Sequence, residues 1–153
     1  MLRFDHVGVI VEDLDAASAF FRSLGFERQG AMTLEDDVVV DRINGLDGVR
    51  VRMEFVRTPD GTGSLELIQY LSPVDGEAAS PAPPNRPGMR HICIEVDDID
   101  GLVARLRGDG FDTVGDVQDY GDMYRLCYLR GPEGLIVEFA EKLSARTAQA
   151  QSG

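Results

Sequence analysis

The only two histidines of the chain, His6 and His91, open two similar segments. His6 is followed by VGVIVEDLD and His91 by ICIEVDDID, and the same spacing of 85 residues relates Gly25-Phe26 to Gly110-Phe111. Similarity at a fixed spacing indicates two copies of one structural module. Because imidazole is a common metal ligand, two histidines at corresponding positions of paired modules predict a metal site that uses both.

Each half of the chain also carries a glutamate among apolar residues near its end: Glu66 in LELI and Glu138 in IVEF. Either glutamate alone would be explained by solvent exposure or by pairing with one of the 15 lysines and arginines. Strand alternation, however, places each glutamate and the histidine of its module on the same open face, if their strands are neighbours. The predicted ligands of one divalent ion are therefore His6, Glu66, His91 and Glu138. Imidazole and carboxylate donors suit Zn, Ni, Co, Mn or Fe.

The spacing of apolar residues predicts the order β-α-β-β-β in each half. In the first half, a strand from His6 leads to a helix that runs to about Leu24, and three strands follow near Val38–Val40, Val49–Arg57 and Ser64–Leu71. In the second half, the strand His91–Val96 leads to a helix that carries Ile99, Val103 and Leu106. Its remaining strands are predicted near Thr113–Val117, Tyr124–Tyr128 and Leu135–Ala140.

These elements predict an α+β fold in which two βαβββ modules pair into a cup-shaped mixed sheet. The modules span residues 3–71 and 89–143, and a proline-rich linker, 72–88, joins them into one domain over residues 1–143. The tail, 144–153, is expected to be disordered. The modules could pair within one chain or across a dimer, and the sequence leaves both arrangements open.

The net charge of −12 argues against nucleic acid or an anionic membrane as a partner. No apolar run approaches the roughly 20 residues that span a bilayer, and the first residues lack the apolar core of a signal peptide. We therefore expect a cytoplasmic protein. Cys93 and Cys127 are too few for a disulfide framework and are expected to be reduced thiols.

From about residue 3 to residue 143 the chain resembles the vicinal oxygen chelate superfamily. This superfamily includes glyoxalase I, methylmalonyl-CoA epimerase, extradiol dioxygenases and antibiotic-resistance proteins. The segments that carry the resemblance are FDHVGV from Phe4, LELI from Leu65, RHICIEVDDI from Arg90 and GPEGLIVE from Gly131. The resemblance implies that the four predicted ligands occupy the family's metal positions, as in bacterial glyoxalase I, whereas the His91 segment is more similar to methylmalonyl-CoA epimerase. Ile10 and Tyr70 stand where glyoxalase I usually has Arg and Asn, which makes glutathione conjugates doubtful substrates.

The favoured function is a metal-dependent lyase or isomerase that acts on an α-carbonyl compound. The ion would bind vicinal oxygens and stabilise the enediolate formed when a carbon acid loses its proton. Epimerisation of an acyl-CoA is the specific expectation. The candidate bases are Glu95, on the ligand face, and Glu138, if it detaches from the ion; Glu54 is a weaker candidate.

Two other functions remain open. A small-molecule binding protein of the antibiotic-resistance type needs only a cup, with the lining residues Ile10, Ile68, Tyr70, Met123 and Tyr124. An extradiol dioxygenase is less favoured, because such enzymes usually use a further histidine as acid-base, and this chain has no third histidine. The expected partners are a small-molecule ligand and a second copy of the chain in a homodimer.

Overall fold

The first half of the chain forms a four-stranded sheet in a computed structural model that describes residues 1–77 and 79–143. The strands lie in the order β1-β4-β3-β2. β1 and β4 are parallel, and the other neighbours are antiparallel. The bounds are β1 Val7–Ile10, α1 Leu14–Ser23, β2 Glu27–Leu34, α2 Val38–Asn44, β3 Arg50–Arg57 and β4 Ser64–Ser72.

Helix α1 covers one face of this sheet. Asp13 caps its first turn by accepting a hydrogen bond from the Ala16 amide. Phe20 and Phe21 of α1 are buried, and the helix packs against β3 and β4, where Val56, Leu65 and Leu67 are also buried. The alternate residues of β4, which include Glu66, therefore face away from α1.

The segment between α1 and β3 differs from the prediction. Val38–Val40, predicted as a strand, begins helix α2, and the missing strand is β2. The three valines favour a strand locally, but Asp37 caps the helix through the Val39 amide, and Gly45 ends it in the left-handed conformation. β2 escaped prediction because it is an edge strand whose residues are mostly exposed, so it has little apolar alternation.

The second half of the chain forms a sheet with the strand order β5-β9-β8-β6, and β7 pairs with β8. β5 and β9 are parallel neighbours, as β1 and β4 are in the first half. Helix α3 is capped by Asp98 and buries one apolar side. The bounds are β5 His91–Glu95, α3 Ile99–Gly108, β6 Asp112–Thr113, β7 Gln118–Tyr120, β8 Tyr124–Arg130 and β9 Ile136–Lys142, with a 3₁₀ turn at Pro132–Gly134.

The prediction of a strand at Thr113–Val117 is wrong for most of its length, because only Thr113 lies in a strand, β6, and β7 begins after Val117. Val114 still donates a backbone hydrogen bond to Tyr128, but Gly115 then lies in a bend and the chain leaves the ladder before it returns at Gln118. Glycine weakens a strand and permits such an interruption.

The described residues fall into two compact units, and the boundary between Ala79 and Ser80 lies within the predicted linker 72–88. The α+β class is confirmed. The first unit has the predicted order β-α-β-β-β with α2 added, and the second unit has four strands after α3 instead of three. The predicted disordered tail, 144–153, lies outside the described residues. In the part of the chain that is described, no helix is long and apolar enough to cross a membrane.

Candidate metal centre

His6 and Glu66 meet on the open face of the first unit. The parallel register places Gly8 beside Glu66, and His6 lies two residues before Gly8 on the same side of the strand. His6 Nε2 is 3.2 Å from Glu66 Oε2, and the glutamate side chain is 18% exposed. Since β1 and β4 are neighbours, the first of the two predicted His–Glu pairs is formed.

Asp5 holds the other side of the His6 ring. His6 Nδ1 donates to Asp5 Oδ2 at 2.8 Å, so Nε2 is directed to Glu66. This hydrogen bond is the main cause that raises the pKa of His6; burial opposes it, and the charge of Glu66 adds to it. A carboxylate on the second ring nitrogen is the usual way in which proteins fix the tautomer and orientation of a metal-binding histidine.

His91 and Glu138 form the matching pair in the second unit. Cys93 lies beside Glu138 in the parallel register, just as Gly8 lies beside Glu66. His91 Nε2 is 3.0 Å from Glu138 Oε2, and the glutamate is 17% exposed. The Tyr128 ring packs against the imidazole with its centroid 4.9 Å away, which restricts its orientation. The two units therefore present the same pair of donor atoms in the same local geometry.

Each His–Glu pair, taken by itself, has the spacing of two ligands of a divalent metal ion. Two ligand atoms about 2.1 Å from one ion and at a right angle to each other are separated by about 3.0 Å, close to the Nε2–Oε2 distances of 3.2 and 3.0 Å. Partial desolvation, with the charge of Glu138, raises the pKa of the Cys93 thiol. Within residues 1–77 and 79–143, no group of three or more His, Cys, Asp or Glu side chains is placed to hold an ion.

Glu95, the candidate base, is engaged by a residue that sequence reasoning did not single out. Lys142 Nζ lies 2.7 Å from Glu95 Oε2, and this contact raises the pKa of the lysine. Alternation places Glu95 on the face of His91, and Lys142 on the face of Glu138. The sequence could have indicated Lys142, because it is the only lysine and lies four residues after Glu138, on the same face of the predicted strand.

Glu54, the weaker candidate base, lies on the opposite face from Glu66. It is buried, accepts a hydrogen bond from the Ser18 hydroxyl of α1, and pairs with Arg28 Nε at 3.0 Å. These contacts tie the sheet to α1. They place the Glu54 carboxylate away from the open face.

The predicted lining residues fall into two sets. Ile68 and Tyr70 pack against a buried cluster of Val49, Val51 and Met53 in the first unit, and the Tyr70 hydroxyl hydrogen-bonds Asn44 at the end of α2. Ile10 and Met123 are 58% and 65% exposed, and Tyr124 is beside Lys142 in the register of β8 and β9. Sequence reasoning missed α2, whose Val40 packs on the apolar cluster.

We expect Asp5→Asn to move metal release to higher pH. Protons compete with metal for His6, so acidification through the pKa of His6, which Asp5 raises, displaces metal. Asp5 also orients the ring, and loss of such a carboxylate costs about 10–100-fold in metal affinity, which outweighs the weaker competition from protons. The pH dependence of folding stability in the metal-free protein runs the other way from that of metal binding. The stability contributed by His6 is present at low pH and is lost as the pH rises through the pKa of His6. Metal release against pH, followed with a colorimetric chelator, measures the midpoint. Asp47→Asn, an exposed change in the same unit, is the control; equal midpoints in all three proteins would contradict the role of Asp5.

A family model described as "Glyoxalase/Bleomycin resistance protein/Dioxygenase superfamily" matches residues 5–128. Among proteins of known sequence, the mitochondrial methylmalonyl-CoA epimerase of Mus musculus is 32% identical over 146 residues, which cover 91% of this chain and 72% of the epimerase.

Two solved structures are also similar to the chain. A glyoxalase family protein from Bacillus cereus has a TM-score of 0.89 and 38% identity, and the match covers 94% of this chain and 95% of that protein. A fosfomycin resistance protein from Listeria monocytogenes, complexed with Mn(II) and a dihydroxypropylphosphonic acid, has a TM-score of 0.61, 13% identity and 98% coverage of both chains, which is a likeness of fold alone.

Proposed function

Because the chain belongs to the glyoxalase/bleomycin resistance protein/dioxygenase superfamily, we propose that it is a metal-dependent isomerase or lyase acting on an α-carbonyl compound. His6, Glu66, His91 and Glu138 are the proposed ligands of one divalent ion, which is Zn, Ni, Co, Mn or Fe. The observation that carries the proposal is the pair of matching His–Glu contacts, at 3.2 and 3.0 Å, on corresponding strands of the two units. The proposal of a metal site is supported by the fosfomycin resistance protein, which has the same fold and is complexed with Mn(II).

The proposed reaction begins with removal of a proton from the carbon beside a carbonyl group. A divalent ion, when bound, supplies Lewis-acid stabilisation of the negative charge that develops on the substrate oxygens. The side chains of the proposed site orient the substrate, and a carboxylate among them accepts the proton. Glu138 and Glu95 are the proposed bases, since each carries a carboxylate on the open face of the second unit. Glu138 belongs to the His–Glu pair and is the one next to a chelated carbonyl group, whereas Glu95 lies four residues further along, beside Lys142.

Epimerisation of an acyl-CoA is the proposed specific reaction. It is supported by the similarity to methylmalonyl-CoA epimerase over most of the chain. It is also supported by Ile10 and Tyr70, which lack the charged or amide groups expected for recognition of glutathione. We further propose that the protein acts in the cytoplasm as a homodimer; the free thiols of Cys93 and Cys127 suit a reducing compartment.

A binding protein without catalysis is the second candidate, and the apolar cluster of the first unit favours it. Val51 and Met53 are buried, and Ile68 and Tyr70 pack against them on the face that also carries Glu66. An apolar wall of this kind is typical of sites for amphipathic small molecules. The two candidates differ in whether the bound compound exchanges a proton.

We expect the metal-loaded protein to exchange the α-proton of methylmalonyl-CoA for deuterium from solvent faster than the buffer does. Loss of the ¹H signal in D₂O measures the rate, and chelator treatment followed by metal addition shows whether the ion is required. Glu138→Gln removes both a ligand and a proposed base, so its rate should fall to that of the metal-free protein. Glu77→Gln, an exposed change, should leave the rate unaltered. Saturable binding of the compound without exchange would favour the binding protein.

A further inference from the structure

We propose that Lys142 is an anion-binding subsite, which selects elongated α-carbonyl ligands that carry a carboxylate or phosphate away from the chelating oxygens. This inference rests on the proposed function, because it places one end of the ligand at the His–Glu pairs. It adds Lys142 to the proposed site and specifies that the substrate carries a second, anionic group.

The position of Lys142 on the sheet carries the inference. β5 and β9 present two pairs of polar side chains on one face: His91 with Glu138, and Glu95 with Lys142. Each member of the second pair is four residues further along its strand than the corresponding member of the first. Four residues of a strand span about 13 Å. A ligand that meets both pairs must therefore be elongated, and its distal group must be an anion to match the ammonium.

The first unit has no charge at the corresponding positions. Ile10 corresponds to Glu95 by the repeat spacing, and Tyr70 corresponds to Lys142, since each lies four residues after the glutamate of its unit. Ile10 is exposed, and Tyr70 packs on the apolar cluster of β3. The two modules thus share the His–Glu pair. They differ four residues further along the same strands, where the first module has no charged side chain and the second has Glu95 and Lys142. The Glu95–Lys142 pair is therefore a feature of the second unit that the repeat does not explain.

A role confined to stability explains the Lys142–Glu95 contact poorly. The two side chains are 47% and 61% exposed, and solvent screening makes such pairs weak contributors to folding. An exposed carboxylate can be exchanged for a carboxylate or phosphate of the ligand at little cost. The ammonium has three donors on a flexible stem, so it can also contact both anions at once. In a chain of net charge −12, a local cation favours the binding of an anion.

The test uses the single lysine as a spectroscopic probe. Reductive methylation with ¹³C-formaldehyde labels Lys142 and the N-terminus, keeps the positive charge, and gives a resonance that can be assigned from Lys142→Met. Zinc-loaded and metal-free protein are titrated with α-keto dicarboxylates of increasing chain length, with the corresponding α-keto monocarboxylates, and with coenzyme A. Binding constants are measured in parallel by calorimetry.

We expect the Lys142 resonance to shift with dicarboxylates above a certain length or with coenzyme A, and not with monocarboxylates. A shift with the dicarboxylates identifies a carboxylate as the preferred anion, and a shift with coenzyme A identifies a phosphate. Lys142→Met should weaken binding of the responding anion about tenfold, as expected for loss of a charge-assisted hydrogen bond, and leave monocarboxylate binding unchanged. Arg107→Met removes an exposed, ion-paired cation of α3 and should change neither constant.

The inference is overturned if neither anion moves the Lys142 resonance, or if Lys142→Met and Arg107→Met bind all the compounds equally. The proposed function fails in a different way. If metal is not bound and no proton exchange occurs, but the Lys142 resonance still responds to the anion in the metal-free protein, the subsite stands without the reaction.

Discussion

Replacement of His91 or His6 by alanine is expected to abolish stoichiometric metal binding. Each variant removes one of four proposed ligands and leaves its partner, Glu138 or Glu66, without the contact of 3.0 or 3.2 Å. Groups that only orient a ligand already cost about 10–100-fold in affinity when they are removed, so loss of a ligand should cost more. Metal per chain after dialysis, measured by mass spectrometry, should fall from about one in the wild type to a small fraction in either variant. Glu138→Ala should do the same.

Tyr128→Phe is the matched control for this prediction, because it keeps the ring that packs on His91 and changes only the hydroxyl. It should bind metal as the wild type does. Circular dichroism shows whether each variant is folded. If His6→Ala and Glu138→Ala are folded and keep their full metal content, the four-ligand assignment is wrong.

Phe139→Ala is expected to destabilise the protein more than any substitution at the candidate site. Phe139 is completely buried on the α3 side of β9, next in sequence to Glu138 but on the opposite face. Truncation of a buried phenylalanine costs about 3–5 kcal/mol, through lost burial and the cavity that remains. This is a large share of the roughly 5–15 kcal/mol that stabilises a typical domain.

Thermal unfolding of the metal-free protein measures the effect, which should be a fall in Tm of about 10 °C or more. Phe4→Ala is the control, because Phe4 is 72% exposed and its removal should change the Tm little. An equal Tm for both variants would mean that Phe139 does not contribute to a packed core.

The open faces of the two modules could be predicted from alternation alone. Val7 and Val9 alternate with Gly8, and Leu65 and Leu67 alternate with Glu66, so each strand has one apolar side and one side free for function. The structure bears out this assignment, since Leu65 and Leu67 are buried and Glu66 contacts His6 on the other side. The prediction succeeded because the alternation of a strand is a local property.

The segment 27–45 could not be predicted in the same way. β2 is an edge strand with mostly exposed residues, and the valines of α2 favour a strand until Asp37 and Gly45 are considered as caps. In both cases the local preference is weak, and the neighbouring strand or the caps decide the conformation.

By itself, the sequence determined the duplicated modules, the predicted ligands His6, Glu66, His91 and Glu138, and the face on which each lies. Only the tertiary structure decided that β1 lies beside β4 and β5 beside β9, in registers that bring each Nε2 within 3.2 Å of a carboxylate oxygen. It also decided that Lys142 meets Glu95. The physical reason is that the direction of a side chain follows from the backbone around it, whereas contacts between residues more than forty positions apart depend on which strands pair and in what register.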